Sequence, residues 1–298
     1  MSGEFLSAWR ARIDAALEGL LPPDSRWPGT LHRAMRYSVT AGGKRLRPVL
    51  ALAAANACGG DLEAILPAAC GLEMIHTYSL IHDDLPALDD DDWRRGVPTC
   101  HKKFGEATAI LAGDALLTHG LECFAIHPGP AKYDAARARV VAAVAASIGT
   151  QGMIGGQMED IEAERERPAG DRTLARLERI HANKTGALIR ASLALGGILS
   201  FAADAALRRL DVYGSALGLA FQIKDDLLDV ESTREELGKA TGKDLAHGKM
   251  TFPGLLGIDE SRRRLDRSVE SARAAAGELE KGPGPLGELA AFVGSRKT

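Results

Sequence analysis

Apolar residues recur at intervals of three and four over most of this chain, and that periodicity constrains its fold more than any other feature. It predicts helices over residues 4–19, 29–40, 45–57, 61–85, 105–124, 133–163, 171–199, 203–229 and 259–280. Almost nothing alternates with the period of two that a half-buried strand shows. Breakers fall between the segments, at Pro22-Pro23, Gly59-Gly60, Pro86, Gly96 to Pro98, Pro128 to Pro130, Pro168 to Gly170 and Pro283 to Pro285. Composition agrees: 45% of residues are hydrophobic, many of them the good helix formers Ala and Leu, and only 5% are aromatic. The expected fold class is all-α, a large helical bundle. No stretch rich in Pro, Gly or Ser separates two halves of the 298 residues, so a single domain over 1–298 is expected.

Charge and cysteine usage remove several classes of function. The 40 acidic residues nearly balance 37 basic ones, and no basic stripe interleaved with aromatics is present, so no nucleic-acid partner is expected. Cys58, Cys70, Cys100 and Cys123 form no Cys-x-x-Cys pair, which suits reduced thiols rather than a zinc site or disulfide framework. The N-terminus lacks an apolar signal-peptide core, so a cytoplasmic location is expected. Apolar runs such as Val49 to Ala57 and Val140 to Ile148 fall short of the roughly 18 residues that a membrane span needs, so no transmembrane segment is expected.

Two aspartate clusters carry the chemistry. Residues 82 to 95 read His-Asp-Asp-Leu-Pro-Ala-Leu-Asp-Asp-Asp-Asp-Trp-Arg-Arg, with six Asp among positions 83 to 92. Alone, such a run is as well explained by a solvated acidic loop. The second cluster, Gln-Ile-Lys-Asp-Asp-Leu-Leu-Asp at 222 to 229, changes that balance. Spacing of four puts Asp225 and Asp229 on one helix face with Gln222 a turn earlier, and like charges at that spacing repel. Beside apolar Leu227 and Leu228, the group is better explained by a bound cation than by helix stability. Each cluster is expected to end a helix, at Asp83-Asp84 and Asp225-Asp226, and the two are expected to face one another across the bundle. All-oxygen ligands suit magnesium, which bridges carboxylates to phosphate groups, so a diphosphate substrate is implied.

The sequence resembles the trans-isoprenyl diphosphate synthases, the polyprenyl synthetases, of the bacterial farnesyl diphosphate synthase type. The likeness rests on six ordered motifs: Gly42 to Pro48, His76 to Pro86 with Arg94-Arg95-Gly96, Lys184-Thr185-Gly186, Gln222 to Asp229, Lys239 with Gly242-Lys243-Asp244, and Lys249 to Pro253. It implies an isoprenoid synthase fold with a central active-site cavity and a homodimer. It implies head-to-tail condensation of isopentenyl diphosphate with dimethylallyl and geranyl diphosphate, assisted by three magnesium ions per active site that manganese can replace.

By the same resemblance, Asp83, Asp84, Asp89 and Asp225 bind metal, with Asp226 and Asp229 assisting. Lys44, Arg47, His76 and Arg95 hold isopentenyl diphosphate. Arg94, Lys184, Thr185, Gln222 and Lys239 hold the allylic diphosphate, Thr185 and Gln222 softening the carbocation that forms when diphosphate departs. Pro86 is expected to end its helix and return Asp89 toward Asp83 and Asp84 through a turn. His82, Asp90, Asp91 and Asp92 are read as supporting or solvated residues, and His101, His119 and the cysteines are assigned no role. Phe252 stands where relatives often have Tyr, and Arg296 aligns with a tail arginine while Lys297 is displaced by one position.

Product length is read from the residues upstream of Asp83. Ser79 lies one turn back on the same face and is small, whereas Tyr78, about 7.5 Å back along the axis, offers a floor for a growing chain. That favours a farnesyl product over the geranyl or geranylgeranyl alternatives. A terpene cyclase is disfavoured because Asp225, Asp226 and Asp229 are all carboxylates. A noncatalytic subunit is disfavoured because both clusters are intact.

Overall fold

The computed structural model describes residues 2–166, 173–235, 249–280 and 282–296. Its contacts group into two compact units, Met1–Val141 with Ile198–Phe201, and Ala142–Gly197 with Ala202–Thr298. Helices dominate both. Among the described residues the only sheet is a two-residue antiparallel ladder, β1 (Trp93–Arg94) with β2 (Val97–Pro98).

The first unit contains α1 (Ser2–Leu20), α2 (Gly29–Thr40), α3 (Leu46–Ala57), α4 (Leu62–Asp83), α5 (Cys100–Phe104) and α6 (Glu106–Ile126). Helix α4 starts where the Asp61 carboxylate accepts the amide of Ala64 at 3.2 Å, an N-cap. It is apolar nearly all round, which suits its position against both α3 and α6. A Cβ at Gly71 would lie 2.8 Å from the Gly120 carbonyl oxygen, and one at Gly120 the same 2.8 Å from that of Gly71. Helices α4 and α6 therefore cross at near backbone contact.

Arg45 ties four helices of this unit together. It precedes α3 in the left-handed conformation, φ 51°, and its buried guanidinium donates to Asp14 of α1 at 2.7 Å, Glu73 of α4 at 3.0 Å and the Val39 carbonyl of α2 at 2.7 Å. The bonded partners offset the large desolvation that burying both Arg45 and Glu73 imposes.

The second unit contains α8 (Met153–Arg165), α9 (Leu174–His181), a π-helical turn (Ala182–Gly186), α11 (Asp204–Glu235), α12 (Phe252–Leu256), α13 (Ile258–Glu280) and α14 (Pro285–Ser295). The division between units falls within α7 (Asp134–Ile148) and α10 (Ala187–Leu199). The long α11 packs along α13, and the buried Tyr213 hydroxyl donates to the Leu286 carbonyl at 2.8 Å. Glu280 caps α14 by accepting the amides of Leu286 and Gly287 at 2.8 and 3.2 Å.

The helix predictions hold with specific exceptions. The segment predicted at 133–163 is interrupted between Ile148 and Met153, around Gly149 and Gly152. The segment predicted to stop at 229 runs on to Glu235, because no Gly or Pro intervenes before Gly238. Asp225 and Asp226 thus lie inside a helix rather than at its end. Helices α5, α12 and α14 were not anticipated; α14 starts on Pro285, read as a breaker although proline is favoured in a first turn. Val49 to Ala57 lies in a helix too short to cross a membrane, as expected, but three helical stretches, Leu62–Asp83, Glu106–Ile126 and Ala131–Arg165, are long and apolar enough to do so by length and composition. The first has 72% of its apolar window buried within the chain.

Glu73→Ala is expected to leave Arg45 buried without its main counter-charge and to lower stability by about 3–5 kcal/mol, read from urea unfolding. Replacing both residues, as Arg45→Met with Glu73→Leu, should lose much less.

Candidate active site

In the first unit the aspartate-rich region begins at the C-terminus of α4, with Asp83 its last residue and Asp84 its cap. Pro86 prevents continuation, and the chain folds back: the Leu88 amide donates to the Leu85 carbonyl at 2.9 Å and the Asp89 amide to the Asp83 carbonyl at 2.8 Å. Asp89 therefore returns beside Asp83 through a turn, as Pro86 led one to expect. Asp84 is buried, Asp83 half-buried and Asp89 exposed. The Arg94 guanidinium grips Asp84, with Nε 2.6 Å and Nη2 2.5 Å from Oδ1, and lies 3.6 Å from Asp91. Burial pushes the Asp84 carboxyl above its usual range, although Arg94 opposes that shift.

Arg94 and Arg95 owe their positions to the small hairpin, whose turn residues Arg95 and Gly96 both have positive φ, 54° and 80°. Arg95 lies over Gly42 and Gly43. It donates to the Gly42 carbonyl, and a Cβ at Gly43 would fall 2.8 Å from the guanidinium carbon. Only glycine permits that approach. On α4, His76 is held neutral well below the ordinary imidazole value, by desolvation first and then by Arg47, Arg95, Arg94 and Arg45. The structure thus gathers Arg47, His76 and Arg95 with Arg94, while Lys44 stands exposed in the loop before α3. Such a group of fixed guanidinium ions suits a diphosphate.

Tyr78 is buried, and among the described residues its hydroxyl has no hydrogen-bond partner. Its ring meets His82 edge-on at 5.7 Å, and burial followed by Asp83 pushes its hydroxyl up to about 12. Ser79 is half-buried and donates to the His76 carbonyl at 2.9 Å. Asp90, Asp92 and one ring nitrogen of His101, residues read as supporting or without role, offer ligand atoms within 4.8 Å of one another. Lys102 already holds Asp92 at 2.7 Å.

In the second unit, Gln222, Asp225, Asp226 and Asp229 lie on α11. Asp225 accepts from Arg296 at 2.5 Å, and the same guanidinium reaches the Phe221 carbonyl at 3.0 Å and covers the Phe221 ring at 4.0 Å. Asp226 is buried and accepts the Phe252 amide at 2.8 Å. The π-helical turn carries Lys184 and Thr185 and is wedged between glycines. A Cβ at Gly156 would sit 2.3 Å from the Lys184 amide, and one at Gly218 3.2 Å from the Gly186 Cα. Lys184 pairs with Asp160 at 2.7 Å. Lys239, the motif Gly242-Lys243-Asp244 and Lys297 lie outside the described residues.

Sequence reasoning passed over His181, the last residue of α9. Its Nδ1 is 3.1 Å from Gln222 Nε2, its Nε2 is 3.8 Å from Asp226 Oδ2, and its ring stacks on Phe252 at 5.6 Å. Its position three residues before Lys184, one helical turn away, was the available signal.

Carboxylate groups on helices, paired with clustered guanidinium ions in an all-α fold, define an isoprenoid synthase. The chain aligns over 99% of its length with 99% of an apo FPP/GFPP synthase from Zymomonas mobilis, at a TM-score of 0.85 and 34% identity. The polyprenyl synthetase family model matches residues 28–282, and the chain belongs to that family. It is 43% identical to a farnesyl diphosphate synthase of Bacillus subtilis, covering 90% of each chain. It is 45% identical to a geranylgeranyl diphosphate synthase of Cyanophora paradoxa, covering 90% of this chain and 88% of that one. The activity is that of a trans-prenyl diphosphate synthase, a prenyltransferase of isoprenoid biosynthesis acting on isoprenoid diphosphates.

Burial lowers the His181 imidazole to about 4, so it stays neutral in the folded chain. An unfolded histidine binds its proton below about 6.5, so folding loses stability as pH falls from there to about 4 and gains nothing above it. His181→Asn should escape that loss, its unfolding free energy gaining on wild type by about 1.4 kcal/mol per pH unit across the window in denaturant titrations.

Proposed function

We propose that this prenyltransferase condenses isopentenyl diphosphate first with dimethylallyl and then with geranyl diphosphate, releasing (2E,6E)-farnesyl diphosphate and diphosphate. The observation that supports this product is buried Tyr78, a bulky side chain just over one turn behind Asp83 whose hydroxyl has no hydrogen-bond partner among the described residues. A geranylgeranyl product is the second reading, favoured by the relative of that name and by the small Ser79 beside Tyr78.

Asp83, Asp84 and Asp89 of the first unit and Asp225, Asp226 and Asp229 of the second are the residues that would hold magnesium. The donor set fits: every ligand is a carboxylate, and although one guanidinium holds Asp84 and one holds Asp225, the other carboxylates of each group leave it net negative charge that attracts cations. When bound, magnesium neutralises charge developing on the departing diphosphate.

Arg94, Lys184 and Lys239 take up further charge on that leaving group as the allylic C1–O bond breaks. Oxygen atoms of Thr185 and Gln222 soften the resulting cation. Lys44, Arg47, His76 and Arg95 hold isopentenyl diphosphate so that its double bond attacks C1. A C–C bond forms, and a proton leaves C2 to restore the alkene, with the released diphosphate as acceptor. No side-chain nucleophile is required. A homodimer in the cytoplasm belongs to the same reading, and the apolar Ile110 and Leu111 left exposed on α6 support the pairing of two copies.

Asp83→Ala and Asp225→Ala should each lower turnover by roughly a hundredfold or more while leaving circular dichroism unchanged. Near-normal turnover of either variant at limiting magnesium would remove that aspartate from the ligand set.

Chromatography of products from dimethylallyl and isopentenyl diphosphates tests chain length. Ser79→Phe should raise the floor and release ten-carbon product, whereas Tyr78→Ala should admit twenty carbons or more. If both active variants still stop at fifteen carbons, the chain runs elsewhere.

A further inference from the structure

We propose that His181 is a positioning residue that fixes the orientation of the Gln222 amide. The inference rests on the proposed function, in which the Gln222 carbonyl oxygen serves the allylic cation.

In the structure the contact joins the amide nitrogen to the ring. Gln222 Nε2 lies 3.1 Å from His181 Nδ1, and a carboxamide nitrogen can only donate, so Nδ1 accepts and the ring proton is on Nε2. That tautomer places the N–H toward Asp226 Oδ2, 3.8 Å away, an attraction of the correct sign although beyond hydrogen-bond length. The plane of the ring is held by its stack on Phe252 at 5.6 Å and 23°, and the Phe252 amide is itself held by Asp226 Oδ2 at 2.8 Å. His181 also leads directly into the turn that carries Lys184 and Thr185. One imidazole thereby relates α9, α11 and the start of α12.

The consequence is chemical. A glutamine amide has two nearly isosteric orientations related by a half-turn about its last bond, one presenting oxygen and the other presenting N–H. With the NH2 group committed to Nδ1, the carbonyl oxygen is the end left to meet developing positive charge. Without an acceptor at that position the amide can turn, and its N–H dipole then faces the cation with the wrong sign. Since preorganised dipoles act mainly on the transition state, the effect falls on kcat and not on KM.

His181→Phe keeps the stack on Phe252 but has no acceptor, and His181→Leu serves as a second variant lacking one if the larger ring disturbs folding. His181→Asn restores an acceptor, because its Oδ1 occupies nearly the place of Nδ1. Steady-state kinetics with both substrates varied should show kcat about 10- to 100-fold lower for His181→Phe at unchanged KM values, and His181→Asn within about threefold of wild type. In a Gln222→Leu background, His181→Phe should add less than about a twofold further loss. An Asn variant as impaired as the Phe variant, or a full additional loss in the Gln222→Leu background, would overturn the positioning role and leave Gln222 untouched. Full activity of Gln222→Leu alone would overturn the assignment of Gln222, and the role of His181 with it.

Discussion

Carboxylates gathered close together repel one another, most of all where one of them is buried as Asp84 and Asp226 are, and much of this structure is the arrangement that keeps two such groups tolerable. In the first unit the buried Asp84 is held by Arg94, which a two-residue hairpin delivers from ten positions further along the chain. In the second, Asp225 is held by Arg296 and Asp226 by a backbone amide. The same logic with reversed sign governs the upper part of α4. There His76 stays neutral because burial and four arginines oppose its protonation. One helix thus presents a cationic region at His76 and an anionic one at Asp83, about 10 Å apart along its axis. A diphosphate and its counter-ions need that pairing of charge.

Glycine supplies the complementary steric device. Gly43 leaves the space that the Arg95 guanidinium fills, and Gly156 and Gly218 admit the turn bearing Lys184 and Thr185. The π-helical turn between α9 and α10 introduces its extra residue just where Lys184 and Thr185 project, a location such turns frequently take at functional sites. Arg45 acts differently. It holds no substrate in the proposed reaction, yet its bonds to Asp14, Glu73 and Val39 fix the junction between the loop that bears Lys44 and the first turn of α3, where Arg47 lies.

How much of this the sequence disclosed depends on the range of each interaction. Local rules were sufficient for α2, whose bounds match the periodic segment at 29–40, and for the return of Asp89, which Pro86 dictates within six residues. They failed where an element is too short to show a period, as in the hairpin at 93–98 and in α5. They also failed where one residue has two readings, as Pro285 does. Contacts distant in sequence left almost no signature. Nothing near Asp225 announces Arg296, 71 residues on, and His181 looked like one more histidine until the fold placed Gln222 beside it. The six motifs named the participants; their partners had to be located in space.

The crossing of α4 and α6 gives the first aspartates an unexpected sensitivity. Gly71 is twelve residues before Asp83, about 18 Å along the axis, so the crossing acts as a fulcrum and the helix beyond it as a lever arm. A tilt of about 5° at the fulcrum moves the far end by about 1.5 Å, enough to disturb a metal or substrate geometry severely. A single methyl group at Gly71 or Gly120 would press on backbone, which cannot swing aside as a side chain can. Two positions with no charge and no reach therefore bear on the aim of Asp83 and Asp84 at the end of α4.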